Sequence, residues 1–189
     1  MIHAGTARAD DEPKSDESHP TSYWHVSFLG GVVKPLGDNA DNHDLGLLAG
    51  GRIGWSHRVG LGLAISGFYS PLPRKTDPLL PLVTYENHFA VLVGGPQLSL
   101  VWKRLRVWMA AGAGMAMERA RRFDRNLLVE KKTEEGMAAG ASAGVELHFI
   151  ASGGLVIAGD YTRTFKDLGF STAPYQLADL SAGIVFLFR

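Results

Sequence analysis

The chain has 189 residues, 46% of them hydrophobic, and its 19 basic and 19 acidic side chains give a formal net charge of zero. A neutral chain offers nothing to a polyanion such as nucleic acid, and the absence of cysteine excludes disulfides and thiolate metal sites. No apolar run reaches the roughly 20 residues that a membrane-spanning helix needs, so any passage through a bilayer must use strands.

Residues 1–22 are acidic and carry Pro13 and Pro20, the composition of a disordered segment ahead of a single domain at 23–189. Within that segment Ala7-Arg8-Ala9, before Asp10, reads as the tail of a small-residue signal cleavage site. The first predicted strand is 23–34, where Trp24, Val26, Phe28 and Val32 alternate with His25, Ser27 and Leu29. A polar loop precedes the second strand, 45–56, which sets Leu47, Ala49, Ile53 and Trp55 against Gly50, Arg52 and Gly54. After a tight exit at 57–58 the third strand, 59–70, opposes Leu61, Leu63, Ile65 and Tyr69 to Gly62, Ala64 and Ser66, and a proline-rich loop follows. The fourth strand, 85–102, contains Gly94-Gly95-Pro96, which predicts a bulge that swaps its faces.

After the short turn Lys103-Arg104, the fifth strand, 105–118, places Val107, Met109, Ala111, Ala113, Met115 and Met117 opposite Arg106, Trp108, Gly112 and Gly114. Its alanines and methionines would also suit a helix, but each interior glycine would cost that helix about 1 kcal/mol. The charged run 119–135 reads as a third long loop. The sixth strand, 136–149, sets Ala139, Ala141, Ala143, Val145, Leu147 and Phe149 against Ser142, Glu146 and His148. Residues 155–165 form the seventh, with Asp160 among its polar set, and a fourth long loop, 166–174, leads to the last strand, 177–189. There Ala178, Leu180, Ala182, Ile184, Phe186 and Phe188 share one apolar face, and pairing with the first strand would cover the free edge by closing a barrel.

Three features favour a barrel in a membrane over one in water. The face opposite the apolar one is mostly Gly, Ala and Ser with a few charges, which suits a narrow polar lumen better than a solvated exterior. Long connections alternate with short ones. Aromatics cluster at strand ends, with Trp24, Trp55, Trp102, Phe149, Phe186 and Phe188 at the short-turn rim and Tyr69, Tyr85, Phe89, Tyr161, Phe165 and Tyr175 at the other, as two interfacial girdles.

On these features the chain from residue 23 onward resembles the small eight-stranded bacterial outer-membrane β-barrels, the outer-membrane protein A and X type. The resemblance implies an all-β, up-and-down antiparallel transmembrane barrel in the Gram-negative outer membrane, its termini periplasmic, its long loops outside and its interior at most a small pore. The last strand also resembles the terminal aromatic assembly signal of such proteins, which gives Phe186 and Phe188 that role and the barrel-assembly machinery as a partner, although here Arg189 follows. Outer-membrane lipid, lipopolysaccharide and other envelope proteins are the further partners it implies.

No cofactor is expected. The lumen-facing Arg52, Arg106, Glu146 and Asp160 are candidates for paired charges, because ionic groups in a narrow interior must find partners. Arg119, Arg121, Arg122, Arg125, Lys131 and Lys132 could meet lipopolysaccharide phosphates at the surface, against the plainer reading of solvated charge. Asp38, Asp41, His43 and Asp44 hold ligands enough for a weak divalent cation, though such runs are more often solvated turns. The metalloprotease motif HExxH is absent. His148 with Glu146 and Ser142, and His88 beside Glu86, are the only groupings that suit a lipid A acyl hydrolase or transferase. The expected role is therefore structural or one of surface contact, with that enzyme and a soluble lipocalin-like carrier as the alternatives.

Overall fold

The computed structural model describes residues 22–57, 59–75, 80 and 82–188; the segment read as disordered, with its cleavage-site tail, lies almost wholly outside them. Eight strands run β1 (Ser22–Leu36), β2 (Gly46–His57), β3 (Leu61–Pro73), β4 (Val83–Trp102), β5 (Leu105–Asp124), β6 (Leu127–Ile150), β7 (Gly153–Thr164) and β8 (Gln176–Phe188). Each pairs antiparallel with the next, and β8 pairs with β1 from Trp24↔Phe188 to Leu36↔Gln176, so the sheet is closed. The two-residue period of each strand then sorts side chains to inside or outside. Leu47, Leu100 and Trp102, at 72%, 79% and 73% exposure, stand outside, whereas His25, Arg106 and Glu146 are fully enclosed. The apolar face therefore points outward, which a soluble carrier could not tolerate and a barrel in lipid requires.

Close packing of the closing seam depends on glycine. A Cβ on Gly183 would stand 1.8 Å from the carbonyl oxygen of Phe28, and one on Gly31 would stand 2.1 Å from that of Leu180. Both residues face the lumen, where β1 and β8 approach each other too closely for a side chain.

Three expectations are corrected. First, β4 keeps one register with β3 throughout, and its pairing with β5 lapses at Gly95 and Pro96 but resumes unshifted. Proline withholds its own N–H, and the neighbouring glycines let the strand pass without a bulge, so Phe89, Val91, Gln97 and Ser99 all stay inside. Second, the charged run 119–135 is no loop. It is the outer part of a long β5–β6 hairpin, turned at Arg125-Asn126 with φ of 47° and 68°, the doubly positive backbone of a type I′ turn. Third, the outer girdle is thinner than expected: Tyr69, Tyr161 and Phe165 face outward, but Phe89 and Tyr175 are buried inside and Tyr85 packs against Phe170 and Arg74. The short-turn girdle has all its members on the outer face, Trp55 less exposed than the rest.

Because the β1–β8 seam has no room for a Cβ, Gly183→Ala should impair closure while Ala182→Val, on the outward face, is tolerated. After refolding in detergent micelles, the first variant should lose much of the mobility difference between unboiled and boiled gel samples and the second should retain it.

Candidate functional site

Two buried layers close the lumen, one toward each rim. Toward the short turns, β5 and β6 bring Arg106 opposite Glu146. Arg106 Nη1 donates to both carboxylate oxygens at 3.0 Å, and its Nη2 donates to Ser56 Oγ at 2.8 Å and lies 3.2 Å from His25 Nε2. His148 approaches the second oxygen of Glu146 at 3.2 Å. This is the compensation that a buried guanidinium and carboxylate need. Arg52 does not join it through a carboxylate: its guanidinium lies 3.6 Å from the Trp108 ring centroid and donates to Gln97 Oε1 at 2.6 Å and Ser142 Oγ at 2.9 Å. Asp160 instead faces Asp179 across the β7–β8 ladder. Of the four lumen charges read from the sequence, the structure thus joins Arg106 to Glu146 and leaves Arg52 and Asp160 outside any ion pair among the described residues.

Above this layer, the small residues around Gly112, Gly140 and Ser181 leave a cavity of about 40 Å³, the size of a water or two. The second layer closes the barrel toward the long loops. Val33, Leu48, Leu72, Phe89, Val91 and Leu177 form an apolar floor, and the connection between β7 and β8 turns inward from residue 168 so that Leu168 and Tyr175 complete it. Tyr175 donates to Glu118 Oε1 at 3.0 Å; His43 Nδ1 lies 3.2 Å from the Asn39 carbonyl oxygen and its Nε2 lies 3.0 Å from Asn87 Nδ2. Ser171 donates to Asn39 Oδ1 at 2.8 Å, tying the first loop to the fourth. Burial, then the neighbouring Glu118, pushes the Tyr175 phenol above its ordinary range, and burial holds the His43 imidazole below its own. His43 is therefore part of the lid network, while Asp38, Asp41 and Asp44 point to solvent, and the described residues contain no cluster that could hold a metal ion.

The enzyme groupings are not assembled. Ser142 and His148 are six residues apart on one strand, about 20 Å, and Ser142 accepts from Arg52. His88 stacks on Tyr69 and is hydrogen-bonded to its hydroxyl, while Glu86 lies 3.7 Å from Arg121. The six basic residues of the hairpin divide by parity. Arg119, Arg121 and Lys131 lie on the outward parity beyond the apolar belt, Arg122 and Lys132 on the inward one, where Lys132 lies 4.8 Å from the Phe170 ring centroid, and Arg125 is at the turn. Phe186 packs edge-on against Phe28 on the outer face, and Phe188 is exposed beside it. Sequence reasoning missed His25, Ser56, Gln97, Asn87, Glu118 and Tyr175. The signal available for most of them was a bulky polar residue at a lumen position.

No family model and no curated protein matches the chain. Among solved structures it is similar to Neisserial surface protein A, with a TM-score of 0.60 at 13% identity, covering 87% of this chain and 97% of that one. A major outer membrane protein from Thermus thermophilus gives 0.62 at 10% identity, covering 87% and 99%. Ail of Yersinia pestis, in complex with the heparin analogue sucrose octasulfate, gives 0.53 at 13%, covering 88% and 97%. The fold is that of the small outer-membrane β-barrels.

Two outcomes follow from the two layers. Glu146→Gln or Arg106→Met should each cost about 3–5 kcal/mol in urea unfolding from micelles, since each leaves its partner buried and uncompensated, whereas Arg106→Met with Glu146→Leu should recover most of the loss. Arg52→Ala, which strands no carboxylate among its contacts, should cost less. His43 is neutral in the docked loop, so docking should be complete above the ordinary histidine value near 6.5 and weaken as pH falls below it. Limited proteolysis of the first loop should accelerate between pH 7 and pH 5 in the wild type but not in His43→Gln.

Proposed function

We propose that this protein is an integral outer-membrane barrel with a closed lumen, a structural and surface-contact protein rather than an enzyme or a pore. The observation that carries the reading is the division of its outer surface. A continuous apolar belt gives way, on β4, β5 and β6, to Glu86, His88, Arg119, Arg121, Lys131 and Glu135 within a few residues, with the basic side chains in the majority. That is the profile of a wall that leaves hydrocarbon and enters an anionic headgroup layer.

In this reading the termini and short turns are periplasmic, and Phe186 and Phe188 present the assembly signal on the outward face of the last strand. The long loops and the projecting hairpin lie outside the cell. There the outward basic residues engage lipopolysaccharide phosphates, which accept paired guanidinium donors well. The sulfated sugar held by the Ail barrel is a polyanion of comparable chemistry on a barrel of this shape.

Refolding into zwitterionic vesicles should give strand circular dichroism and a heat-dependent gel shift that are absent in detergent-free buffer. Adding lipopolysaccharide should raise the unfolding midpoint, and about 0.5 M salt should remove most of that rise by screening. Folded monomer in plain buffer would overturn the membrane assignment, and indifference to lipopolysaccharide would overturn the surface role.

A further inference from the structure

The outward basic residues are not spread evenly. The registers place Tyr69, Ala90 and Met117 side by side in one outward row, and Pro71, His88 and Arg119 in the next. Ala90, the smallest of these, forms the floor of a groove of about 240 Å³ walled by Tyr69 and Met117 and roofed by His88, Arg119 and Arg121. One row below, Leu92 and Met115 belong to the exposed apolar belt. The groove therefore straddles the line between hydrocarbon and headgroup.

Its polar groups are poorly matched within the protein. Arg119 makes no ion pair among the described residues, and Arg121 reaches only Glu86, at 3.7 Å with both side chains partly exposed. Arg121 Nε is buried and has no hydrogen-bond partner. Exposed pairs of this kind contribute at most about 1 kcal/mol, so Arg121 is readily recruited by a better acceptor. His88 Nδ1 is hydrogen-bonded to the Tyr69 hydroxyl, and in the tautomer in which that hydroxyl donates, Nε2–H is a third donor beside the two guanidinium groups.

We propose that this groove is a specific binding site for the phosphate of an outer-leaflet lipid, with Arg119, Arg121 and His88 donating to the phosphate and an acyl chain lying down the wall over Leu92 and Met115. The proposal rests on the membrane and lipopolysaccharide reading above and adds to it a discrete site. A free phosphate would satisfy the same donors but gain nothing from the apolar row, and it is the alternative source of the same chemistry.

The test titrates the full chain, folded in zwitterionic micelles, with diphosphorylated lipid A, following the backbone amides of residues 88, 119 and 121 by NMR. Each variant is first checked for the heat-dependent gel shift. The pair Arg119→Gln and Arg121→Gln should weaken binding about tenfold or more, a charge-assisted loss of 1.4 kcal/mol per decade. The pair Arg125→Gln and Lys132→Gln, which removes the same charge at the turn and on the inward face of the hairpin, should change it less than about twofold, a difference that diffuse screening-range attraction would not produce. His88→Gln, which can still donate, should bind better than His88→Leu. Equal losses from both charge pairs would overturn the groove in favour of diffuse attraction while leaving the lipopolysaccharide reading standing. Failure of the wild type to bind would overturn both. Saturation by inorganic phosphate at the same concentration as lipid A would overturn the lipid as occupant.

Discussion

Closure is the constraint on which the rest of this structure depends. In hydrocarbon every backbone N–H and C=O must find a partner within the protein, and a sheet can do that only by leaving no edge. Eight strands close at a diameter that leaves little interior, so each inward position must be empty, small or committed to a neighbour. The inward glycines and alanines around the middle of the barrel, and the glycines of the β1–β8 seam, follow from that geometry rather than from any demand for flexibility.

The same constraint explains why the large inward residues gather in two layers. A single arginine in a narrow lumen is costly, but Arg106 is surrounded by Glu146, Ser56 and His25, and Arg52 rests on the face of Trp108 with two neutral acceptors. These two arginines solve one problem in different ways: the first by opposite charge in direct contact, the second by ring face and neutral acceptors, with Asp160 across the same small cavity but outside any direct ion pair among the described residues. Toward the loops the solution changes again, because there the chain has spare length. Leu168 and Tyr175 are brought in from a connection rather than from a strand, and the Glu118 carboxylate, which no strand neighbour neutralises, receives its hydrogen bond from that same connection.

How much of this the sequence made legible follows from what each signal depends on. Alternation identified all eight strands, and in every one but β4 the two faces, because inside and outside differ in size and polarity along the length that was read. It failed at 119–135, where charged residues occupy both faces and the turn Arg125-Asn126 carries no glycine to mark its positive φ. It failed in β4 because Gly-Gly-Pro ordinarily breaks a ladder, yet here the neighbours tolerate a local lapse in pairing without losing register. Phe89 and Tyr175 read as girdle residues because aromatics near the strand ends of a membrane barrel ordinarily face lipid. Strand parity places Phe89 inside, and Tyr175, in a connection, has no parity to read. The lumen partners of Arg106 and Arg52 come from strands far apart in sequence, so no spacing rule could pair them.

The parity that fills the lumen also decides what the hairpin can do. Arg121 and Arg122 are adjacent in sequence, yet the first belongs to the outer wall beside His88 and Glu86 and the second to the inner face beside Glu130. A charge count over 119–135 treats them alike, and a loop would have left them alike, free to reorient toward any anion. A paired hairpin does not: it fixes Arg119 and Arg121 in successive outward rows above the apolar belt and holds Lys132 against Phe170 on the other side. Extension of two transmembrane strands past the membrane is therefore what converts a cluster of positive charge into a surface with one face toward the surrounding lipid and another toward the mouth of the barrel.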